Sequence, residues 1–498
     1  MPRVAVLVFA ILFGVACQVP SGANATPAPT GAQTGGTLRV ALPAEVTAFD
    51  PWSADAASLI ATRQIFETLV ELEPATSRIS PALASSWQMT NDGASWTFTL
   101  REGVVFHDGV ALDAASVIAS FERGRTTRSY RALFDDPPAI KSIQAVDQRT
   151  VRFDLRAPFG PFLAHLASPQ AAIARANGAG TGPFTASASA LAPDGTLTLG
   201  RNDFYWRRDS SGKQLPYLDG LVLRPVRDVT SRLAELRAGR VEVALDLPIA
   251  QASSARSDPS LLVSPRKDAA LASLGIDAVT PPFDRPEARR AVAMAVNRNA
   301  LSAVYAGTSR PATQVVPPGS LGYDESVAEF APLDTDAGRK ALADAHVPTP
   351  ISTDLAYPNA PTAAYPDPQR IAQSIAADLG KIGIVARLRA VDATALREAR
   401  ATFTLDTTAI GLDPDDVFWP LYGLDDPSGG SLIVGLVRKA RADADPTKRA
   451  ELYKQVSKIA RNDALRVPLL FADRPNAATA RLVGYTGIEY FGTVWLRP

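Results

Sequence analysis

Cysteine is almost missing from this chain: Cys17 is the only one in 498 residues, so no intramolecular disulfide can form. A surplus of either charge is missing too, since 51 lysines and arginines face 51 aspartates and glutamates. Nucleic-acid binders neutralise phosphates and carry a basic excess, so that class is set aside. Histidine is scarce, and His107, His165 and His346 stand too far apart for metal-ligand spacing. Asp413, Asp415 and Asp416 lack the spacing of a calcium loop, so no metal site is expected. Gly178-Ala179-Gly180-Thr181-Gly182 lacks the Lys-Ser/Thr that completes a phosphate-binding loop, and Gly-x-Ser-x-Gly does not occur. Spacing brings no nucleophile, base and orienter together, so neither catalytic residues nor a cofactor are expected.

An apolar stretch of the roughly 20 residues needed by a permanent membrane helix is also absent. Residues 4–15 form a shorter run behind Arg3 that ends at Ala16-Cys17, which reads as an export signal over residues 1–17. Two kinds of processing fit. Acylation of Cys17 would leave a lipoprotein anchored outside the cytoplasm, in the periplasm or on the outer cell surface, and a lone cysteine suits that use. Gly14 departs from the leucine usual three residues before such a cysteine. Cleavage after Ala23-Asn24-Ala25 would instead release a soluble protein. In either case residues 18–36, rich in Pro, Gly, Ala and Thr, form a flexible linker.

What is present is ordinary globular material. With 46% apolar and 20% charged residues, the chain can build packed cores. It exceeds the about 250–300 residues at which a single core stops growing, so two or more lobes are expected. Residues 37–42 alternate at strand period, and residues 58–72 place Leu59, Ile60, Ile65, Phe66, Leu69 and Val70 at helical spacing. Trp96-x-Phe98-x-Leu100 reads as a strand, and 140–146 with 151–155 as a hairpin turning at Asp147-Gln148. Helices are predicted from Asp113, near Pro161, over 229–238 with a stop at Gly239, and over 336–345, 369–382, 392–399 and 446–460. Strands are expected at 197–199, 221–226, 241–245, 271–276, 385–391 and 467–471. This alternation is an α/β pattern, without visible internal repeats.

Several separated motifs recur in one order. GGTLRVALPAEVTAFDP runs from Gly35 to Pro51, followed by RQIFETLVEL from Arg63 and by Pro81-Ala82-Leu83-Ala84, Ser86-Trp87 and Asp92-Gly93-x-x-Trp96. Phe106-His107-Asp108-Gly109, Thr181-Gly182-Pro183-Phe184 and Asn202-Asp203-Phe204-Tyr205-Trp206 come next. Pro216-Tyr217-Leu218-Asp219-Gly220, Pro281-Pro282-Phe283-Asp284 and Arg289-Arg290-Ala291-Val292-Ala293 complete the series. In this order they resemble the family 5 solute-binding proteins of ABC importers, over nearly everything after residue 35.

The resemblance implies a two-lobed, type II periplasmic-binding-protein-like α/β fold with an extra subdomain inserted in the first lobe. On that reading the first lobe spans 37–280, the second 281–466, and 467–498 returns to the first. It also implies a function. A monomer captures a small solute, an oligopeptide or related compound, between its lobes and delivers it to a membrane permease. A secreted hydrolase or a peptide-holding chaperone on a two-lobed scaffold is the alternative.

By the same resemblance, Glu45, Val46 and Thr47 belong to a first-lobe loop that faces the solute, and Gly182 to a turn at the cleft. The 411–419 segment resembles the family's Asp-Pro-Asp-x-Phe cleft loop. Peptide-binding relatives carry an aspartate for the ligand's ammonium three residues before that triplet, and a tryptophan three residues earlier; here these positions are Ile410 and Thr407. Ile410 cannot hold an ammonium. Either Asp413 or Asp415 takes the role, or the solute is neutral, anionic or blocked at its amino end. Trp52, Trp206, Trp419 and Trp495 are candidates for lining the cleft, core packing being the alternative for each. Trp87 and Trp96 are assigned to the core.

Overall fold

The computed structural model describes residues 31–497 apart from 54, 74–77, 135–138, 188, 229, 328–330 and 424–430. The expected signal, Cys17 and the Ala25 cleavage site lie outside the described residues. Among those described, no helix is long and apolar enough to cross a membrane.

Thr37–Leu42 forms a strand as its alternation predicts, with Leu38, Val40 and Leu42 fully buried. It is the centre of a seven-stranded sheet, flanked in parallel by Gly220–Pro225 and Val243–Ala244. Leu197–Arg201 and Phe184–Thr185 extend one side antiparallel, Ala477–Thr479 and Leu261–Val263 the other. The helix expected over 58–72 stops early, at Ser58–Ile65. The Ile65 carbonyl accepts the Gly182 N–H at 2.9 Å, and a Cβ on Gly180 would come within 2.0 Å of that carbonyl. This backbone approach occupies the space of a further helical turn, and the chain leaves as the strand Val70–Glu73.

A four-stranded antiparallel sheet, in the order Ala84–Thr90, Ser95–Leu100, Thr150–Leu155, Ile140–Asp147, forms the body inserted after that helix. The helix Ala114–Gly124 covers it, starting where Asp113 accepts the Ser116 N–H at 2.8 Å, an N-cap that the sequence announces. Between them Phe98, Phe121, Phe134, Phe153 and Phe162 pack edge to face.

A six-stranded sheet builds the second α/β body, in the order Ser309–Pro311, Arg466–Arg474, Arg266–Ile276, Phe403–Ala409, Ile351–Pro358, Ile384–Val391. Helices Pro286–Ala295 and Pro368–Gly380 pack on it. Residues 393–398 form a 3-10 turn where an α-helix was predicted. Both long strands expected in the first lobe, around 271–276 and 467–471, belong here instead. They pair with each other, Leu271 opposite Phe471, so the crossings lie nearer 264 and 475 than at Pro281 and Val467.

The crossings lie side by side. Val263 stands opposite Ala477 in the first sheet and Arg266 opposite Arg474 in the second, one register carried across the boundary. The Ser264 N–H donates to the Asn476 carbonyl at 2.9 Å between them. One antiparallel ribbon therefore joins the two bodies.

Candidate functional site

The parallel strands of the first sheet all end at one edge, the position where ligands bind in open α/β sheets. From that edge comes the loop 43–47. Val46 is 2% exposed and packs into the first core. Glu45 forms an ion pair with Arg227. Exposed Thr47 takes the Ser58 hydroxyl on its N–H at 3.0 Å, and its own hydroxyl donates to Asp55.

The facing loop of the second body follows the strand Phe403–Ala409 and carries three carboxylates. Carboxylates taken out of water need cations or donors. Asp413 is gripped by both terminal nitrogens of the Arg449 guanidinium. Asp415 is paired with Arg441 and accepts the Tyr453 hydroxyl at 3.1 Å; burial pushes it up to about 6 against the pull of Arg441. Asp416 accepts the Asp413 N–H at 3.0 Å and meets His165 Nε2, also at 3.0 Å. All three are thus occupied within the fold.

His165 reaches this loop from the inserted body. Its Nδ1 points at the Leu133 carbonyl, 2.8 Å away, so both ring nitrogens face acceptors and the imidazolium satisfies both. Burial works against the charge, but the Asp416 hydrogen bond and charge, the Leu133 carbonyl and the Asp413 charge outweigh it, and His165 is raised above its ordinary value. Asp416, also opposed by burial, is held below the usual carboxylate range by His165. Nearby, the Gly160 N–H donates to the Arg441 carbonyl at 2.7 Å, and Arg449 to the Gly160 carbonyl at 3.2 Å. The Arg441 guanidinium lies 4.1 Å from the Trp419 ring and 5.0 Å from Phe159 of the inserted body. Trp419 is half-buried and opens a π-helical turn over Trp419–Gly423.

Two α/β bodies, loops meeting across them and a paired ribbon joining them are the parts of a clamp. The family described as "Bacterial extracellular solute-binding proteins, family 5 Middle" matches residues 78–431. The chain belongs to this family of solute-binding proteins. Among relatives, heme-binding protein A of Haemophilus influenzae is 27% identical, over 96% of this chain and 95% of its own length. Glutathione-binding protein GsiB of Salmonella paratyphi A is 28% identical, over 90% and 91%. The structure of HbpA2 from Haemophilus parasuis superposes with a TM-score of 0.83 at 24% identity, covering 93% of this chain and 100% of that one. DppA from Helicobacter pylori, in complex with the peptide STSA, gives 0.72 at 25%, over 93% and 98%. The two-lobed fold is therefore that of the family, and this family 5 protein is the extracytoplasmic substrate-binding component of an ABC transporter, which takes a solute between its lobes and passes it to the permease.

Within this receptor the expected site residues divide. Trp52 is 1% exposed, wedged between Phe121 and Tyr130 at 5.4 and 5.6 Å, and belongs to the core of the inserted body. Trp495 is 5% exposed among Tyr205, Leu215 and Tyr217. Trp206 donates its N–H to Glu67 at 2.8 Å, with the Arg101 and Arg207 guanidiniums 4.4 and 4.7 Å from its ring. Glu67 also accepts Thr181, Tyr205 and Arg207, so this knot fastens framework segments together. Gly182 is buried, its carbonyl accepting Asn202 at 2.9 Å. His107 holds the same turn: its Nε2 donates to the Gly182 carbonyl at 3.1 Å, its Nδ1 accepts the Gly180 N–H, and burial lowers it.

Glu45, Thr47, Thr407, Ile410 and Trp419 remain at least partly exposed. Thr407 is exposed, its hydroxyl 3.5 Å from that of Thr362; Ile410 is half-buried against the apolar cluster that holds Val417, Phe418 and Tyr453. Sequence reasoning missed Arg441 and Arg449, and it set His165 aside as a metal ligand without seeing its partner Asp416. Three carboxylates in a loop flanked by apolar residues demand cations nearby, and that demand was the available signal. Among the described residues no cluster of His, Cys, Asp and Glu could hold a metal.

Proposed function

We infer that this receptor takes a small peptide or related solute whose grip does not depend on pairing its ammonium with a loop carboxylate. One observation carries the reading: Asp413, Asp415 and Asp416 are spent on Arg449, Arg441 and His165, while Ile410 stands where the peptide-binding resemblance places an acidic anchor. Neither Asp413 nor Asp415 then substitutes for it. An ammonium lodged beside Ile410 would go unpaired, at a cost of several kcal/mol. Neutral and anionic solutes, and peptides with a blocked amino end, escape that cost. Glutathione, the ligand in a relative's name, is a suitable probe. The backbone of 43–47, Thr407 and Trp419 form the walls.

The lobes that close are 37–263 with 477–497, and 266–474. The protein works as a monomer and by closure, without turning its solute over. Cys17, when acylated, tethers it to the membrane; cleavage after Ala25 yields the soluble form.

Calorimetry tests the reading with reduced glutathione, the dipeptide Met-Leu and N-acetyl-Met-Leu. Blocking the amino group is expected to change affinity by less than about tenfold, or 1.4 kcal/mol. A preference for the free amine by about a hundredfold or more overturns the reading. Chemical change in any recovered probe overturns the non-catalytic assignment.

A further inference from the structure

The inserted body meets the second lobe at contacts in which the ribbon takes no part. Gly160, between Phe159 and Pro161 of the inserted body, gives its N–H to the Arg441 carbonyl at 2.7 Å and takes Arg449 on its own carbonyl at 3.2 Å. No side chain fits there. A Cβ on Gly160 would come within 2.8 Å of Arg449 Cδ, 2.5 Å of Arg449 Nε and closer still to the Asp443 carbonyl oxygen, all of them atoms of the second lobe. A second approach lies at the turn Asn91–Gly93, where Ala444 of the second lobe packs on the core of the inserted body and fills the space of a Gly93 Cβ. The Arg441 guanidinium lies against Phe159 on one side of the boundary and Trp419 on the other. His165, in the short helix Phe162–His165, completes the contact at Asp416.

The inserted body is fixed to the first lobe. Trp52, on the stretch that leaves the first sheet, is sealed in its core, and its Arg101 lies over Trp206. When the lobes swing about the ribbon, contacts between the inserted body and the second lobe are therefore made on closing and lost on opening. Their free energy adds to whatever a solute supplies, and the apparent affinity follows the fraction of molecules that can close. We propose that the inserted body is a solute-independent catch: through Gly160 and His165 it holds the second lobe shut even over an empty cleft, and so sets the affinity for every solute without touching one. This rests on the two-lobed receptor reading and adds to it two positioning residues. Charge is part of the catch. The imidazolium faces Asp416, with the Asp413 and Asp415 carboxylates behind it, these two matched by Arg449 and Arg441; on its own side stand the Leu133 carbonyl and the rings of Phe134 and Phe159. Loss of the proton leaves one ring nitrogen bare against an acceptor. The hold is complete below the ordinary value of about 6.5 and loosens as pH rises through the raised one of the closed form.

Small-angle scattering of the empty receptor tests the catch without a solute. At pH 6 Gly160→Ala, which drives a methyl group into the second lobe alone, should widen the radius of gyration by about 1 Å on the roughly 23 Å of a compact chain this long. His165→Gln should widen it as well. Wild type should expand between pH 6 and pH 9, and His165→Gln should show no such change. Far-ultraviolet circular dichroism matching wild type establishes that the variants fold. An unaltered radius in both variants, or a wild-type radius independent of pH, overturns the catch and leaves the receptor standing. Calorimetry supplies a second arm: reduced glutathione and Met-Leu should both lose about three- to tenfold in affinity on Gly160→Ala, by the same factor. Unequal factors would place Gly160 against the solute and overturn its role as a catch. Failure of both probes to bind wild type counts against the solute reading, and the scattering still decides the catch.

Discussion

The acidic loop 413–416 and the arginines beside the ribbon are two charged clusters of the described residues, and their accounts balance differently. In the loop each carboxylate has its own cation, two of them arginines no more than 12% exposed. Beside the ribbon, Arg266 reaches Glu489 only at 3.8 Å, its side chain 42% exposed. A saturated cluster holds its own parts in place and has little left to offer a visitor. An undersupplied one, half open to water, retains unmet demand. Charge free to meet a solute is therefore to be sought where pairing is incomplete, rather than where charges are most numerous.

The strongest way to break this contrast is to open the saturated cluster. Arg449→Met strands Asp413, 7% exposed, without its cation, and should cost about 3–5 kcal/mol in urea unfolding. A loss comparable to a surface pair would mean that the loop is not held by this bond. A smaller effect comes from pH. His165 is raised, so its contribution is complete below the unfolded value of about 6.5 and disappears as pH rises through the higher folded value. Asp416 is lowered, so its contribution is present above the unfolded carboxylate value of about 4 and disappears as pH falls through the lower folded one. Stability from the pair peaks between those limits and should fall by about 1.5–3 kcal/mol on the alkaline side. His165→Gln should flatten that decline in a series of urea midpoints; an unchanged slope would remove the imidazolium.

Trp419→Ala should weaken solute binding about tenfold in calorimetry, with little change in the thermal midpoint of the empty protein. A large drop in midpoint with intact affinity would return Trp419 to the core, alongside Trp52. The smallest effect calibrates the rest: the exposed pair Lys340–Asp344 should contribute about 0.5 kcal/mol or less when Lys340 is replaced by Ala, so that larger losses elsewhere are attributable to burial.

Local signals in the sequence were sufficient for local structure. Alternation locates Thr37–Leu42 and Ser95–Leu100, Asp113 announces its helix, and Gly239, at φ 66°, closes Ser231–Arg237. Partners distant in the chain were not legible. His165 and Asp416 are 251 positions apart, and nothing in either segment names the other. The tryptophans show the same limit. Trp52 and Trp419 offer identical surface, and only the neighbours, Phe121 and Tyr130 for one and Arg441 for the other, separate a buried ring from a half-buried one. The crossings were misplaced because an apolar strand such as 271–276 suits the interior of either sheet; pairing with 466–474 decides its membership.

That pairing governs how the molecule can move. Two strands laced together in one register, from Leu261 opposite Thr479 to Arg266 opposite Arg474, act as a strap: pliable across its flat face, stiff against sliding and against bending in its own plane. Opening and shutting are thereby confined to nearly a single angular coordinate, and an ordering cost that two independent tethers would incur at every encounter is met once, when the chain folds.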